Sequence, residues 1–263
     1  MPSPIILPAP LSWSSLAPGQ LLVDPLNPTH NSTSGAPSHA LNEPLIQSDY
    51  EDLLTHDDQG RLISSLIGKP SPDSPNLISL HADQVHYNSL KSPASAFDVL
   101  RRSPSTQSYF RQVAPQTQTL YYVTGVQKLK NPTFRKPSTI DTSRTVIPSS
   151  DSADIKLPTY ERRDSILDMS ESSNDAVLGV ELRKVRCMLG SPTSPHSIED
   201  IDYAWTYHKV DGDEDLQLAV GLGKALEPAE FRALARIVAD EDFSDDGSYE
   251  SGSEDEGSAG FLC

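Results

Sequence analysis

One stretch of this chain, residues 119–130, constrains the fold more than any other. It reads Thr-Leu-Tyr-Tyr-Val-Thr-Gly-Val-Gln-Lys-Leu-Lys, so β-branched and aromatic residues dominate it. Its first half is apolar on both faces of an extended chain, which is typical of a strand that is covered on both sides. The stretch therefore predicts a central strand in a sheet that has other elements packed on each face.

Further strands are predicted on both sides of this one. Residues 176–188 alternate between apolar and charged side chains, and residues 201–209 place an aromatic row, from Ile201 to Tyr207, on one face. Residues 216–222 predict another strand after a turn at 211–213. Residues 77–87 are ambiguous and mildly strand-like. The stretch 131–175 between the two best strands is rich in Ser, Thr, Pro and charge, and we expect a long polar insertion there.

Helix signals are short and begin with proline. The dipeptides that carry them are Ser92-Pro93, Ser103-Pro104 and Glu227-Pro228. A serine can cap the free N–H groups of a helix, and proline suits its first position. These signals predict two short helices over 92–114, broken at Pro104, and a last helix over 229–238. The spacing of Tyr50, Leu53 and Leu54 suggests a further helix face, with a turn following at 58–60.

Together these elements predict an α+β fold, mostly antiparallel β-sheet with short helices and with disordered or extended ends. Residues 1–47 hold nine prolines and are expected to be extended, with one short strand at 20–23. The α+β core is expected at 48–239 and includes the insertion 131–175. Residues 240–263 predict an acidic disordered tail.

Charge is distributed unevenly along the chain. The net charge is −16, which argues against a nucleic-acid-binding protein, since phosphate contacts need clustered Lys and Arg. Residues 101–144, however, carry eight basic residues against one acid, whereas residues 240–256 carry nine acids and no base. Two interpretations remain open: both regions are solvated surface, or the acidic tail shields a basic surface meant for an acidic target.

Catalytic and metal-binding patterns are not found in the sequence. The seven histidines do not pair with Cys or His at zinc-ligand spacing, and phosphate-loop, dinucleotide and nucleophile-elbow motifs are absent. We therefore predict no catalytic residue, no cofactor and no metal, and expect a protein that is not an enzyme. The two cysteines and the proline-broken start, which has no positive segment, favour a cytoplasmic setting. Cys187 is expected to be a small core residue.

A family resemblance rests on the strand patterns. The segment Leu-Tyr-Tyr-Val-Thr-Gly-Val-Gln-Lys-Leu-Lys at 120–130, the polar insertion, the strand Gly-Val-Glu-Leu-Arg-Lys-Val at 179–185 and the aromatic strand near Trp205 resemble fungal gasdermin-like proteins of heterokaryon incompatibility and regulated cell death. The resemblance covers roughly residues 90–243. The proline-rich start departs from that family, whose members usually begin with a short amphipathic helix.

The resemblance implies a pore-forming cell-death effector that its C-terminal tail keeps inactive in the cytoplasm. A partner protease would remove the tail, and the released body would bind acidic phospholipid at the plasma membrane and form a homo-oligomer there. For membrane binding we select Lys128, Lys130, Arg135 and Lys136, and for cleavage Phe243, where the last predicted helix gives way to the tail. The alternative is a soluble, non-enzymatic interaction module with disordered docking segments.

Overall fold

The strand predicted at 119–130 lies at the centre of a ten-stranded, mainly antiparallel sheet. The structure is a computed structural model that describes residues 4–65, 76–116, 118–135, 175–191, 198–210 and 213–236. The strands are β1 (Ile5–Ser12), β2 (Leu21–Leu22), β3 (Leu45–His56), β4 (Leu62–Ser65), β5 (Leu77–Ser89), β6 (Leu120–Lys130), β7 (Thr133–Arg135), β8 (Ala176–Gly190), β9 (Ala204–Val210) and β10 (Asp213–Ala225). The helices are α1 (Pro93–Leu100), α2 (Pro104–Val113) and α3 (Pro228–Leu234). The α+β class is confirmed.

The sheet runs in the order β4-β3-β5-β6-β8-β10-β9, and the three other strands attach to its sides. β1 pairs with the first half of β8, β2 with the start of β6, and β7 with β5. β1 also contacts β4, so the two edges of this part of the sheet meet. The sheet therefore curls around an interior to which β1, β3, β4, β5, β6 and β8 all contribute buried apolar residues.

Two further apolar clusters lie on opposite faces of β6, since Tyr122 belongs to one and Tyr121 to the other. One packs α1 and α2 against β6, β8 and β10, with Phe97, Phe110 and Tyr122 as its largest side chains. The other packs the N-terminal segment and α3 against β6 and β8. The first eight of the eleven residues of β6 are all buried, as a strand covered on both faces requires.

A close approach at Gly125 accompanies the irregularity of this central pair. The register between β6 and β8 shifts between Val123 and Gly125. A Cβ atom at Gly125 would lie 2.5 Å from the Tyr87 hydroxyl and 2.8 Å from a Glu181 carboxylate oxygen. Glycine is therefore required at position 125, because the Tyr87 and Glu181 side chains occupy the space that a Cβ atom would need.

Several predicted elements are confirmed. The helices α1 and α2 are separate and begin at Pro93 and Pro104, and the Ser95 N–H donates to the Ser92 hydroxyl as expected of a cap. The equivalent cap is wrong for Ser103, whose hydroxyl instead contacts that of Ser105 at 2.8 Å. Residues 58–60 form the predicted turn, Cys187 is buried, and β10 extends the strand predicted at 216–222.

Three local predictions are corrected. The helix face proposed from Tyr50, Leu53 and Leu54 is wrong, because this segment is strand β3 and pairs with β5 along nearly its whole length. Ile201 lies before β9 and is 82% exposed, so the aromatic row begins later than predicted. The last helix ends at Leu234, and Leu234 is 40% exposed, so only Phe231 of the predicted stripe is seen to be buried.

The N-terminal segment, expected to be extended chain ahead of the core, is part of the core. Ile5, Leu7 and Leu16 are at most 7% exposed and pack with Val180 and Phe231. The predicted short strand at 20–23 appears as β2. The prolines do not prevent this packing, because β1 pairs with β8 only near its two ends. Pro8 and Pro10 lie between the paired residues, where no ladder hydrogen bond is lost.

Candidate functional site

The basic residues selected from the sequence do not form one surface. Arg101 and Arg102 directly follow α1. Burial lowers the pKa of His208 and the two arginines add to the effect, which places them near β9. His208 of β9 pairs with Leu218 of β10, which in turn pairs with Leu189 of β8. The first residue of β6, Leu120, pairs with Val185 of β8, four residues before Leu189. Arg101, Arg102 and His208 thus lie beyond the first residue of β6. Lys130 is the last residue of β6, about 30 Å along the strand from the first.

Lys128 is held by a packed contact. Its ammonium donates a 2.8 Å hydrogen bond to the Trp13 carbonyl and lies 5.0 Å from the centre of the Trp13 ring. Burial lowers the pKa of Lys128. The same indole ring meets His86 edge-on at 5.7 Å between ring centres. Lys128 therefore fastens residue 13 to β6 and is only partly available to a membrane.

Lys130 and Arg135 both lie beside β5, but they are five residues apart along it, about 17 Å, because Lys130 pairs with Gln84 and Arg135 with Ser79. The chain turns at Asn131, which has a φ of +47°, and continues alongside β5 as β7, with Arg135 opposite Ser79. Acidic side chains lie at the same turn: Asp83 accepts from the Asn131 side chain at 2.7 Å, and Asp175 from its backbone N–H at 3.2 Å. Lys136 and Phe243 lie outside the described residues, as do most of the insertion 131–175 and all of the tail 240–263.

The last described residues are anchored to the turn between β3 and β4. Arg61 donates to the carbonyl oxygens of Ala235 and Arg236, at 3.4 and 3.1 Å, just after α3 ends. The guanidinium is itself held by Asp57 at 2.7 Å, and Asp57 is only 8% exposed. An arginine at the end of a helix satisfies carbonyl groups that the helix leaves free. The chain therefore leaves the described part beside residues 57–61.

Two contacts hold α3 itself to the sheet. Phe231 is 1% exposed within the cluster that contains β1, β6 and β8. Glu230 accepts a 2.6 Å hydrogen bond from the Lys184 ammonium, and this bond is the main cause of a lowered pKa for the Glu230 carboxyl. A helix placed just before the acidic tail is thus fastened by an apolar anchor and an ion pair.

A comparison with protein-family models finds no match, and a search of curated proteins finds none.

Within the part of the chain that the structure describes, no cluster of His, Cys, Asp and Glu side chains is arranged to hold a metal ion. Across the same residues, no helix has the length and apolar character needed to span a membrane. The features described above are two separated basic groups and the anchored last residues before the tail.

Sequence patterns did not single out the residues that organise this arrangement. Trp13 lies in a proline-rich segment and Arg61 beside a turn, and neither follows a helical or strand period. Their roles come from partners that are 115 and 174 residues away along the chain. The dipeptide Arg101-Arg102 was visible as part of the basic region, but its separation from Lys130 follows only from strand pairing.

Proposed function

We propose that this chain is a non-enzymatic, membrane-targeting cell-death effector of the gasdermin-like kind, which its acidic C-terminal tail holds inactive until proteolysis. The observation that carries the proposal is the position of the tail's attachment. Arg236 is fastened beside residues 57–61, directly beyond β3. Arg135 pairs with Ser79, and Ser79 pairs with Leu53 near the end of the same strand β3.

An acidic tail that starts here begins at the same end of β3 as the basic residue Arg135, and Lys130 lies five residues further along β5. Asp240 is four residues beyond Arg236 and so lies within about 15 Å of it by whatever path the chain takes. Nine acids follow by residue 256, which supports competition between the tail and an anionic membrane for the same basic residues.

The strand connections support the membrane step. β3 and β5 are antiparallel neighbours, as are β6 and β8. Residues 57–76, which include β4, join the first pair, and residues 131–175, which include β7, join the second. Two such hairpins can lengthen without changing their register inside the sheet. This arrangement agrees with the resemblance of residues 120–130 to gasdermin-like proteins, in which hairpins enter the membrane as a pore.

In this proposal the partners are an activating protease, an acidic phospholipid membrane and further copies of the chain. The protein moves from the cytoplasm to the plasma membrane when the tail is cut near Phe243. Each Lys or Arg close to an anionic leaflet contributes about 1 kcal/mol, so a few residues suffice for reversible binding. Neither nucleic acid nor a cofactor takes part.

Flotation with liposomes tests the proposal. The chain truncated after Phe243 should float with anionic liposomes and stay in solution with zwitterionic ones, whereas the full chain should bind neither. Changing Lys130, Arg135 and Lys136 together to Glu should weaken binding of the truncated form at least 100-fold, since three attractive charges contribute about 3 kcal/mol. Lys128 is left unchanged because it packs against Trp13.

The matched control carries Arg102→Glu and Lys209→Glu, two exposed basic residues at the other end of β6. This variant should bind anionic liposomes as the truncated parent does. A loss of binding free energy in the control about two thirds as large as in the triple variant would point to net charge alone, since the control reverses two charges and the triple variant three. If the truncated parent does not bind anionic liposomes, the proposal fails.

One observation favours the second candidate, a soluble interaction module. Ile198 and Ile201 are 88% and 82% exposed on either side of Asp200, which is buried and paired with Arg186 at 2.5 Å. Two isoleucines presented on an anchored turn suit a protein partner. Under this alternative neither form binds liposomes, and Ile198→Ser with Ile201→Ser abolishes partner binding.

A further inference from the structure

A cavity of about 480 Å³ lies between residues 32–40 and the helices α1 and α2. This volume is within the usual range of small-molecule sites. The loop that forms one wall is held in place, because the Tyr109 hydroxyl donates a 2.8 Å hydrogen bond to the Asn31 carbonyl and the Ala36 N–H donates to the Pro18 carbonyl. The cavity is therefore formed by fixed elements on both sides.

The walls of this cavity are mainly apolar. Ala36 comes from the loop, and Ala96, Val99 and Leu100 come from α1. Val99 is 73% exposed, although it lies on a helix whose Phe97 is fully buried in the core. Val99 therefore extends the apolar wall of the cavity to the surface.

Two residues that carry hydroxyl groups, Tyr122 and Thr106, line the cavity. They are 1% and 3% exposed. Neither hydroxyl has a hydrogen bond to any part of the described chain. Burial raises the pKa of Tyr122, so its phenol stays protonated and can donate. A hydroxyl at the wall of a cavity that has no partner in the protein can donate to an acceptor group bound there.

The first turn of α2 adds donors to the same cavity. Ser103, Ser105 and Thr106 line it, and the Ser103 side chain does not cap the helix. The N–H groups of residues 105 and 106 belong to the first turn and have no partner within the helix. They carry the positive end of the helix dipole. Acidic side chains are absent from the residues that line the cavity.

From these observations we propose that the cavity binds an apolar monocarboxylate of the fatty-acid class. The carboxylate accepts hydrogen bonds from Tyr122, Thr106 and the first turn of α2, and the alkyl chain lies along Ala36, Ala96, Val99 and Leu100. The cavity is reached from the α1–α2 side of the sheet, so the site is separate from the basic residues near Lys130. It would make the effector responsive to a free lipid acid.

Calorimetric titration of the full chain tests this site, with decanoate as the probe. Decanoate should bind saturably with a stoichiometry of one. Decanol, which has the same alkyl chain and a neutral head group, should bind at least tenfold more weakly, and decyltrimethylammonium should not bind. Binding of decanol or of the cationic amphiphile as tight as that of decanoate would overturn the assignment of a carboxylate.

Three variants locate the binding. Tyr122→Phe and Thr106→Val should each weaken decanoate binding about tenfold, because each removes one hydrogen bond to a charged group. Ala96→Phe should abolish binding by filling the cavity without removing a buried polar group. Tyr121→Phe is the matched control, since the Tyr121 side chain packs in the opposite cluster and should leave affinity unchanged.

Circular dichroism establishes that each variant is folded, and Ala96→Phe keeps the test decisive if Tyr122→Phe is unstable. An absence of saturable decanoate binding, or binding that Ala96→Phe does not reduce, would show that the cavity holds only water.

Discussion

At the residue scale, the environment of a side chain decides what its charge can do. Lys128 appears in the sequence as one of several basic residues, yet its ammonium is shared between the carbonyl and the ring of Trp13. The other side of this contact is the ring of His86, which packs edge-on against the Trp13 ring. Arg61 is used similarly, since Asp57 and two carbonyl groups occupy its guanidinium.

Two histidines should make the protein sensitive to mild acid. Burial lowers the pKa of His86, with Lys130 adding to the effect, and lowers that of His208, with Arg101 and Arg102 adding to it. The Nε2 atom of His208 is also buried without a hydrogen-bond partner among the described residues. Between pH 6.5 and the lower native pKa, the unfolded chain binds more protons than the native state, so stability falls as the pH drops below 6.5.

Urea denaturation at pH 7.5 and pH 5.5 measures this effect. The free energy of unfolding should fall between the two pH values, and the fall should be smaller in a His86→Gln, His208→Gln double variant. Titration by NMR should give midpoints below 6.5 for both rings. Midpoints at or above 6.5 would contradict the burial argument.

At the element scale, pairing outweighs local periodicity. Tyr50, Leu53 and Leu54 have helical spacing, but their segment extends because β5 supplies backbone partners along it and β4 pairs with its last residues, from Leu54. Elements whose signals are local were predicted correctly: proline positions start α1 and α2 regardless of what packs against them. The length of α3 was not predicted correctly, because Leu234, which the apolar stripe placed in the core, is 40% exposed and is the last residue of the helix.

The attachment of α3 depends mainly on Phe231. Phe231→Ala should lower the free energy of unfolding by about 3–5 kcal/mol, because it removes a fully buried aromatic side chain. Leu234→Ala, at a position that is 40% exposed, should change it by less than about 1 kcal/mol. Equal effects in urea denaturation would mean that α3 does not dock through Phe231.

At the scale of the whole molecule, the start of the chain completes the fold. Residues 5–16 supply strand β1, which joins β8 and contacts β4 where the sheet curls. Ile6 enters the interior of the curl, and Ile5, Leu7 and Leu16 enter the cluster under α3. Without this segment, both clusters would be open to water.

Deletion of residues 1–16 should therefore abolish cooperative unfolding. Each buried leucine or isoleucine contributes about 2–5 kcal/mol to the free energy of unfolding, so four of them contribute about 8–20 kcal/mol. That is as large as the whole stability of a typical domain, about 5–15 kcal/mol. Thermal denaturation followed by circular dichroism measures this. Deletion of residues 244–263 is the control and should leave the melting temperature within about 2 °C. A cooperative transition in the first deletion would show that the N-terminal segment is dispensable.

The sequence by itself determined the elements whose causes lie within a few residues. The apolar run of β6, the alternation of β8 and the serine and proline residues before α1 act through local conformation and burial, so they can be read before any partner is known. It also showed the separation of basic and acidic charge along the chain.

Only the tertiary structure decided the placement of β3, the inclusion of residues 5–16 and the division of the basic region between the two ends of β6. It also brought Tyr122, Thr106 and the start of α2 to one cavity. The physical reason is common to all of these: strand pairing and side-chain packing join residues that are far apart in the chain. Their free energy depends on partners that local periodicity does not contain.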